Sequence, residues 1–413
     1  MSDSNLTRRE FFQAAGVLGA GALLSGSALG QTAASAPVGG AATTSPAPGQ
    51  RPVPRRKFGK TGVEVPILAL GGIFDTVRNQ AVLKKALAWG ITYWDTAQAY
   101  DNSEQGMGMF LEANPSLRKE IFLVTKAVVH QPEAADKALA ESLEWLKTDY
   151  VDMYFLHGAG DAAEIESSAP AWKAWAEKAK KAGKIKFFGF STHSRMEDCL
   201  QAAAKVGFID AVMLTYNFRL MHTDKMKAAV EAATQAGIGL TAMKTQAGKS
   251  KEGEGDAEDQ LIQAFVDKGY SDKQAKLKAV WENPQIASIC SQMASLTVMA
   301  ANYAAALDQT QLSAAEKLAL KEYASASCSG YCAGCSNICQ GATGGGLPIA
   351  DVMRFMMYFH DYGMTDHARG LFAALPASVR SALAAADYSA AARACPQGLD
   401  IAGMMKRAGE ILA

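Results

Sequence analysis

After Arg51 the chain alternates, eight times over, between a short apolar run and an amphipathic helical stretch. The apolar runs are Val65–Leu70, Ile91–Thr96, Ile121–Ala127, Val151–His157, Ile185–Ser191, Ala211–Asn217, Ile238–Lys244 and Ile286–Ser291. They are continuous rather than alternating, as in strands buried on both faces of a parallel sheet. Helical periodicity predicts Ala134–Thr148, Ala171–Ala182, Met196–Val206 and Lys225–Ala236. Gly90, Gly183, Gly207 and Gly237 stand where helices stop in a left-handed residue. Eight strand–helix units predict a closed (β/α)8 TIM barrel of the α/β class. The rival is an open doubly wound sheet, but no Gly-x-Gly-x-x-Gly turn opens a first helix. With 413 residues, 49% of them hydrophobic, there is ample material for such a core.

The first 30 residues stand apart from that pattern. Thr7-Arg8-Arg9-Glu10-Phe11-Phe12 resembles a twin-arginine export signal, and Ala28-Leu29-Gly30 offers a small-residue cleavage site. A membrane anchor is the competing reading, but Gly and Ser interrupt the apolar run. Residues 31–50, rich in Ala, Thr, Pro and Gly, are expected to be a flexible linker. The expected organisation is therefore signal 1–30, linker 31–50, barrel 51–310 and C-terminal extension 311–413. The twin-arginine machinery carries folded cargo, so a periplasmic location follows as an expectation. Lys+Arg and Asp+Glu number 41 each, which leaves no basic field for nucleic acid.

Chemistry in a parallel barrel gathers at the carboxyl ends of its strands. At the carboxyl ends of the second, third and fourth runs stand the polar residues Asp95, Lys126 and His157, and Tyr100 follows Asp95 on the next loop. A phenol with an ordinary pKa of about 10 is a poor acid near neutrality. A nearby ammonium favours its ionised form. A buried Lys in turn needs a carboxylate to stay charged, and a neutral imidazole can orient a carbonyl. These roles suit reduction of an aldehyde or ketone: Tyr100 as acid, Lys126 as its tuner, Asp95 as counter-ion and His157 as substrate orienter.

At these residues the chain resembles the aldo/keto reductase family. Arg56-Lys57-Phe58-Gly59-Lys60-Thr61-Gly62 is similar to its opening hairpin, and Trp94-Asp95-Thr96-Ala97-Gln98-Ala99-Tyr100 to its catalytic segment. Ser103-Glu104, Thr125-Lys126 and Asp152-Met153-Tyr154-Phe155-Leu156-His157 follow in the family's order. The resemblance implies a nicotinamide cofactor, NADP(H), across the barrel mouth. It implies that Ser191 holds the carboxamide, that Thr192 stands where the family has Asn, and that Tyr216 stacks on the nicotinamide ring. Met213 replaces a usual Gln, and Asp101 a common Gly. No Lys or Arg occurs from Gln285 through Glu316 to hold a phosphate, and Asn302 remains as the adenine contact.

The extension carries Cys328, Cys332, Cys335 and Cys339, and later Cys395-Pro396. Ferredoxin-type sites use C-x2-C-x2-C-x3-C-P, with the last Cys of a run serving the other cluster. The tail resembles the ferredoxin-like extension of iron–sulfur aldo/keto reductases, with Ala385, Tyr388 and Ala391 in place of three cysteines of the second run. That resemblance implies one [4Fe-4S] cluster on Cys328, Cys332, Cys335 and Cys395, with Cys339 as spare or alternative. Zinc on Cys328–Cys339 and, in an oxidising compartment, disulfides are the other possibilities. Cys199 and Cys290 are expected to be ordinary core residues. Two functions emerge: an exported reductase of a small carbonyl substrate, or a non-catalytic barrel whose tail docks on an electron-transfer protein.

Overall fold

The structure, a computed structural model, describes residues 51–246, 271–308, 313–315, 318, 332–360 and 363–413. The expected signal and linker, and Cys328, lie outside the described residues.

An antiparallel hairpin, β1 (Arg55–Lys57) and β2 (Glu64–Pro66), precedes the barrel. The barrel strands are β3 (Leu68–Gly71), β4 (Tyr93–Asp95), β5 (Phe122–Ala127), β6 (Val151–Leu156), β7 (Ile185–Thr192), β8 (Ala211–Thr215), β9 (Gly239–Met243) and β10 (Ser288–Gln292). Each pairs in parallel with its neighbours, and β10 closes on β3. The helices between and after them are α1 (Gln80–Ala88), α2 (Ser103–Ala113), α3 (Pro132–Trp145), α4 (Ala162–Lys181), α5 (Met196–Val206), α6 (Asp224–Gln235), α7 (Asp272–Trp281) and α8 (Leu296–Leu307). The (β/α)8 expectation is met.

The side-chain period of two divides the core. Phe58, Tyr93, Phe122, Val124, Met153, Phe155 and Met213 fill the barrel, while Trp94, Tyr154, Phe188, Leu214 and Leu240 face the helices. Phe58 of the hairpin loop plugs the lower end, its ring edge-on to Phe122 at 5.7 Å between centroids. Gly189 is obligatory inside: a Cβ there would run into the Ala211 carbonyl oxygen and the Phe155 ring.

Two departures from expectation go beyond a shift of a few residues at an element's end. The run Val65–Leu70 is divided, because the hairpin ends at Pro66 and Ile67 N–H donates to the Pro54 carbonyl at 2.9 Å before β3 begins. Helix α4 starts at Ala162, not Ala171. The Asp161 carboxylate caps it, accepting from Ala163 N–H at 2.8 Å and Glu164 N–H at 3.1 Å, so the helix runs through Pro170. The four glycine stops appear as read, with φ of 76°, 71°, 75° and 76° at Gly90, Gly183, Gly207 and Gly237.

The extension is helical: α9 (Ser336–Ala342), α10 (Ile349–His360), α11 (Thr365–Ala373), α12 (Ala377–Ala385), α13 (Ser389–Ala394) and α14 (Ile401–Leu412). They enclose a core of their own around Val352, Phe355, Phe372, Leu383, Ile401 and Met405. The extension leans on the barrel's carboxyl rim, where Arg195 N–H donates to the Gly334 carbonyl at 3.0 Å. Gly334 has φ 76°, and a Cβ on it would meet the His193 carbonyl. Among the described residues no helix is long and apolar enough to cross a membrane.

Candidate active site

The inward period places Asp95, Lys126 and His157 together on the carboxyl rim of three adjacent strands. Lys126 Nζ donates to Asp95 Oδ2 at 2.8 Å and to the Thr96 carbonyl at 2.6 Å, and both side chains of the pair are buried. The same ammonium lies 4.7 Å from the centroid of the Tyr100 ring. Burial pushes the Asp95 carboxyl up, and the charge and hydrogen bond of Lys126 oppose that rise.

Tyr100 meets the His157 ring edge-on, 5.7 Å between centroids. The expected acidification by Lys126 is not what this arrangement produces. The cation sits on the ring face, while burial first, then the charges of Asp95, Tyr358 and Cys290, push the phenol well above its ordinary value. His157 is held neutral. Burial and then Lys126, Arg354, Lys244 and His367 bring its imidazole down to about 3, and its buried Nδ1 has no hydrogen-bond partner. Asp101, where the family has Gly, takes φ 40°, the left-handed conformation that explains that preference.

Above this set is a chamber of about 170 Å³. Its wall includes Asp95, Tyr100, His193, Met213, Met243, Lys244, Cys290 and Gln292 from the barrel, and Tyr358 and Met364 from the extension. Cys290 is therefore a wall residue, with Sγ 3.5 Å from Asp95 Oδ2, and not the ordinary core cysteine expected. Lys244 is the last residue of the seventh apolar run. The strand-end rule that singled out Asp95, Lys126 and His157 would have found it. Tyr358 carries no such signal, since it sits in an ordinary amphipathic helix.

The residues assigned to the nucleotide are scattered. Ser191 faces inward, but its hydroxyl accepts from Gly158 N–H at 3.1 Å. Thr192 faces the helices and donates to the Ser194 carbonyl at 2.9 Å. Tyr216 is a correction: it is one residue out of phase with Met213 and Thr215, points into the outer layer, and its hydroxyl accepts from Asn283 Nδ2 at 2.9 Å. A ring so placed cannot stack on a ligand in the mouth. Asn302 is buried and donates to Ser291 Oγ at 3.0 Å, next to the chamber wall. Basic groups do occur on this side, before rather than after the last strand: the Arg219 guanidinium and Lys276 Nζ lie 5.0 and 5.6 Å from the Phe218 ring.

In the extension, Cys332, Cys335, Cys339 and Cys395 line one cleft together with Ile349, Met353, Leu399 and Ile401. Cys339 joins the group and is not set aside. Burial pushes the Cys332 thiol up to about 12, and the other three cysteines add to the rise. Among the described residues the thiols are free, and no three His, Cys, Asp or Glu side chains stand close enough to share one metal ion.

A buried lysine–carboxylate pair thus lies under a phenol, beside a neutral imidazole, on the carboxyl rim of a (β/α)8 barrel. The chain belongs to the aldo/keto reductase family, a family of oxidoreductases, whose model matches residues 69–321. It is 32% identical over 210 residues to aldo-keto reductase str7 of Strobilurus tenacellus, covering 46% of this chain and 60% of that one. Aldo-keto reductase yakc (NADP(+)) of Schizosaccharomyces pombe is 32% identical over 183 residues, covering 41% and 51%. The chain thus matches between half and three fifths of the length of these relatives. The solved aldo-keto reductase AKR11C1 of Bacillus halodurans, holo form, superposes with a TM-score of 0.55 at 21% identity, covering 65% of this chain and 95% of that one, a likeness of fold.

Proposed function

We propose that the protein reduces the carbonyl group of a small aldehyde or ketone with NADP(H). The observation that carries this is the buried Asp95–Lys126 pair beneath the Tyr100 ring, with a neutral His157 at its edge. The nicotinamide supplies hydride; family membership and the name of the relative yakc support NADP(H). Met213 and Met243 offer the ring an apolar wall, and Gln246 and Gln292 offer amides. His157, neutral, orients the carbonyl oxygen. Tyr100 gives it a proton, which its raised pKa permits only as negative charge develops on that oxygen. Lys126 then stabilises the resulting phenolate, so its contribution belongs to the transition state more than to the resting phenol.

Tyr100→Phe should lower kcat for NADPH-dependent reduction of 4-nitrobenzaldehyde by roughly a hundred-fold or more. NADPH affinity, followed by nicotinamide fluorescence, should stay within about two-fold, because the lost proton is needed only in the transition state. Unchanged turnover sinks the assignment. Tyr358 and Met364 on the mouth, with Tyr216 turned away, favour the second reading of a barrel that serves as a scaffold or electron-transfer subunit. A chain that folds yet leaves NADPH fluorescence unaltered would support it.

Two further elements complete the proposal. The cysteine cleft suits a [4Fe-4S] cluster, whose four thiolates bind different irons and stand farther apart than ligands of one zinc ion. Cys332, Cys335, Cys339 and Cys395 would hold it, with Cys328 as the alternative fourth ligand. The Arg8-Arg9 segment supports export through the twin-arginine machinery to the periplasm, where an electron-transfer protein would be the cluster's partner.

A further inference from the structure

One lysine, Lys244, lines the chamber, and a second, Lys126, is buried beneath it against the chamber-wall residue Asp95. Lys126 is locked between Asp95 Oδ2 and the Thr96 carbonyl. Lys244 follows β9 directly, in a left-handed conformation with φ 58°, and its side chain forms part of the chamber wall. Its Nζ stands 4.5 Å from the centroid of the Tyr358 ring. Burial is the main influence on this amine and pushes its pKa down, with Arg354 adding to the fall; hydrogen bonding and charge from Tyr358, and the charge of Cys290, act the other way. A desolvated lysine beside other cations is the environment that gives a carbonyl-attacking amine. Only the neutral amine attacks, so burial and Arg354 work in the reaction's favour.

We propose that Lys244 captures a small aldehyde or ketone as a Schiff base, with the Tyr358 hydroxyl relaying the protons. The Nζ lone pair forms the new N–C bond while the carbonyl π pair moves onto oxygen. Both Nζ hydrogens end on that oxygen, the C–O bond breaks, and water leaves, so nothing is oxidised or reduced. Tyr358, hydrogen-bonded to the amine and facing the same chamber, passes the protons between nitrogen and oxygen. The chamber suits a carbonyl compound of a few heavy atoms. The step needs no nucleotide and stands apart from the reductase reading. It makes the extension a part of the chemistry, because Tyr358 belongs to α10.

The test uses the full chain, hydroxyacetone and cyanoborohydride, which reduces an imine to a stable secondary amine, followed by peptide mapping by mass spectrometry. Lys244 should be labelled roughly ten-fold or more faster than the exposed Lys178. Labelling no faster than Lys178 overturns the proposal. Lys244→Arg should remove the fast site. Should that variant not fold, Tyr358→Phe keeps the amine and should slow labelling several-fold; a wild-type rate there overturns the relay. Tyr100→Phe should lose carbonyl reduction while Lys244 labels as before, which separates this proposal from the fate of the reductase reading.

Discussion

Replacing Lys126 with Met removes one half of an ion pair whose side chains are 1% and 2% exposed. The remaining Asp95 loses its 2.8 Å partner at Oδ2, and its Oδ1 already has no hydrogen-bond partner. Removing one member of a buried pair costs about 3–5 kcal/mol, because the survivor is an uncompensated buried charge. For a protein of this size that lowers Tm by on the order of 10 °C. Lys126 is also the group that opposes the upward push of burial on Asp95. Without it the folded carboxyl rises further above its unfolded value. A raised carboxyl pKa makes the folded state bind the extra proton, so the deficit is greatest at neutral pH and shrinks as pH falls toward about 4. Urea unfolding of both proteins between pH 7 and 4.5 measures this. The double variant Asp95→Asn, Lys126→Met should recover part of the loss. A deficit under about 1 kcal/mol, flat across that range, would refute the buried-pair account.

The other expectations concern separate parts of the molecule. His157 stays neutral down to about 3, whereas its unfolded form takes up a proton near 6.5. Its depressed pKa therefore leaves folding unaffected well above about 6.5 and opposes it below, by about 1.4 kcal/mol per unit of pH. His157→Gln should flatten the fall in urea-unfolding stability between pH 7 and 5. Gly189→Ala forces a methyl against the Ala211 carbonyl and the Phe155 ring and should destabilise by about 1–3 kcal/mol, whereas Gly370→Ala, in helix α11 with open space around its Cβ, should cost less. Cys395→Ser should lower iron and acid-labile sulfide in anaerobically purified protein, and Cys290→Ser should not; equal iron in both variants would remove Cys395 from the ligand set.

What could be read from the sequence depended on range. The barrel's strands and the glycine stops are local patterns, so they survive into the structure. Asp95, Lys126 and His157 were legible because a strand end plus the period of two fixes both height and direction. Tyr216 failed on the second of these: it lies at the right end of its strand, but one residue out of phase, and so faces the helices. Cys290 was misjudged because an apolar run conceals which of its residues point inward at the rim. The start of α4 was missed since Asp161 outweighs Pro170 as a signal, and a cap is visible only with its acceptor geometry. Tyr358 and Met364 could not have been found, because nothing in the chain records where one folded unit leans on another.

That contact changes how the extension should be probed. Helix α10 has Ile349, Ala350 and Met353 on the cysteine cleft and Tyr358 on the barrel chamber. From Met353 to Tyr358 is about 7.5 Å of a rigid helix, so the two sites share one structural element. Deleting the extension would remove a wall of the chamber together with the cysteines, and lost activity would not distinguish electron transfer from an opened site. Cys395→Ser leaves α10 in place and removes a thiol only. If carbonyl reduction persists in that variant while iron is lost, the extension serves the barrel as a wall. Loss of both with Tyr358 still in contact, judged by an unchanged rate of Lys244 labelling, would tie the cysteine site to turnover itself.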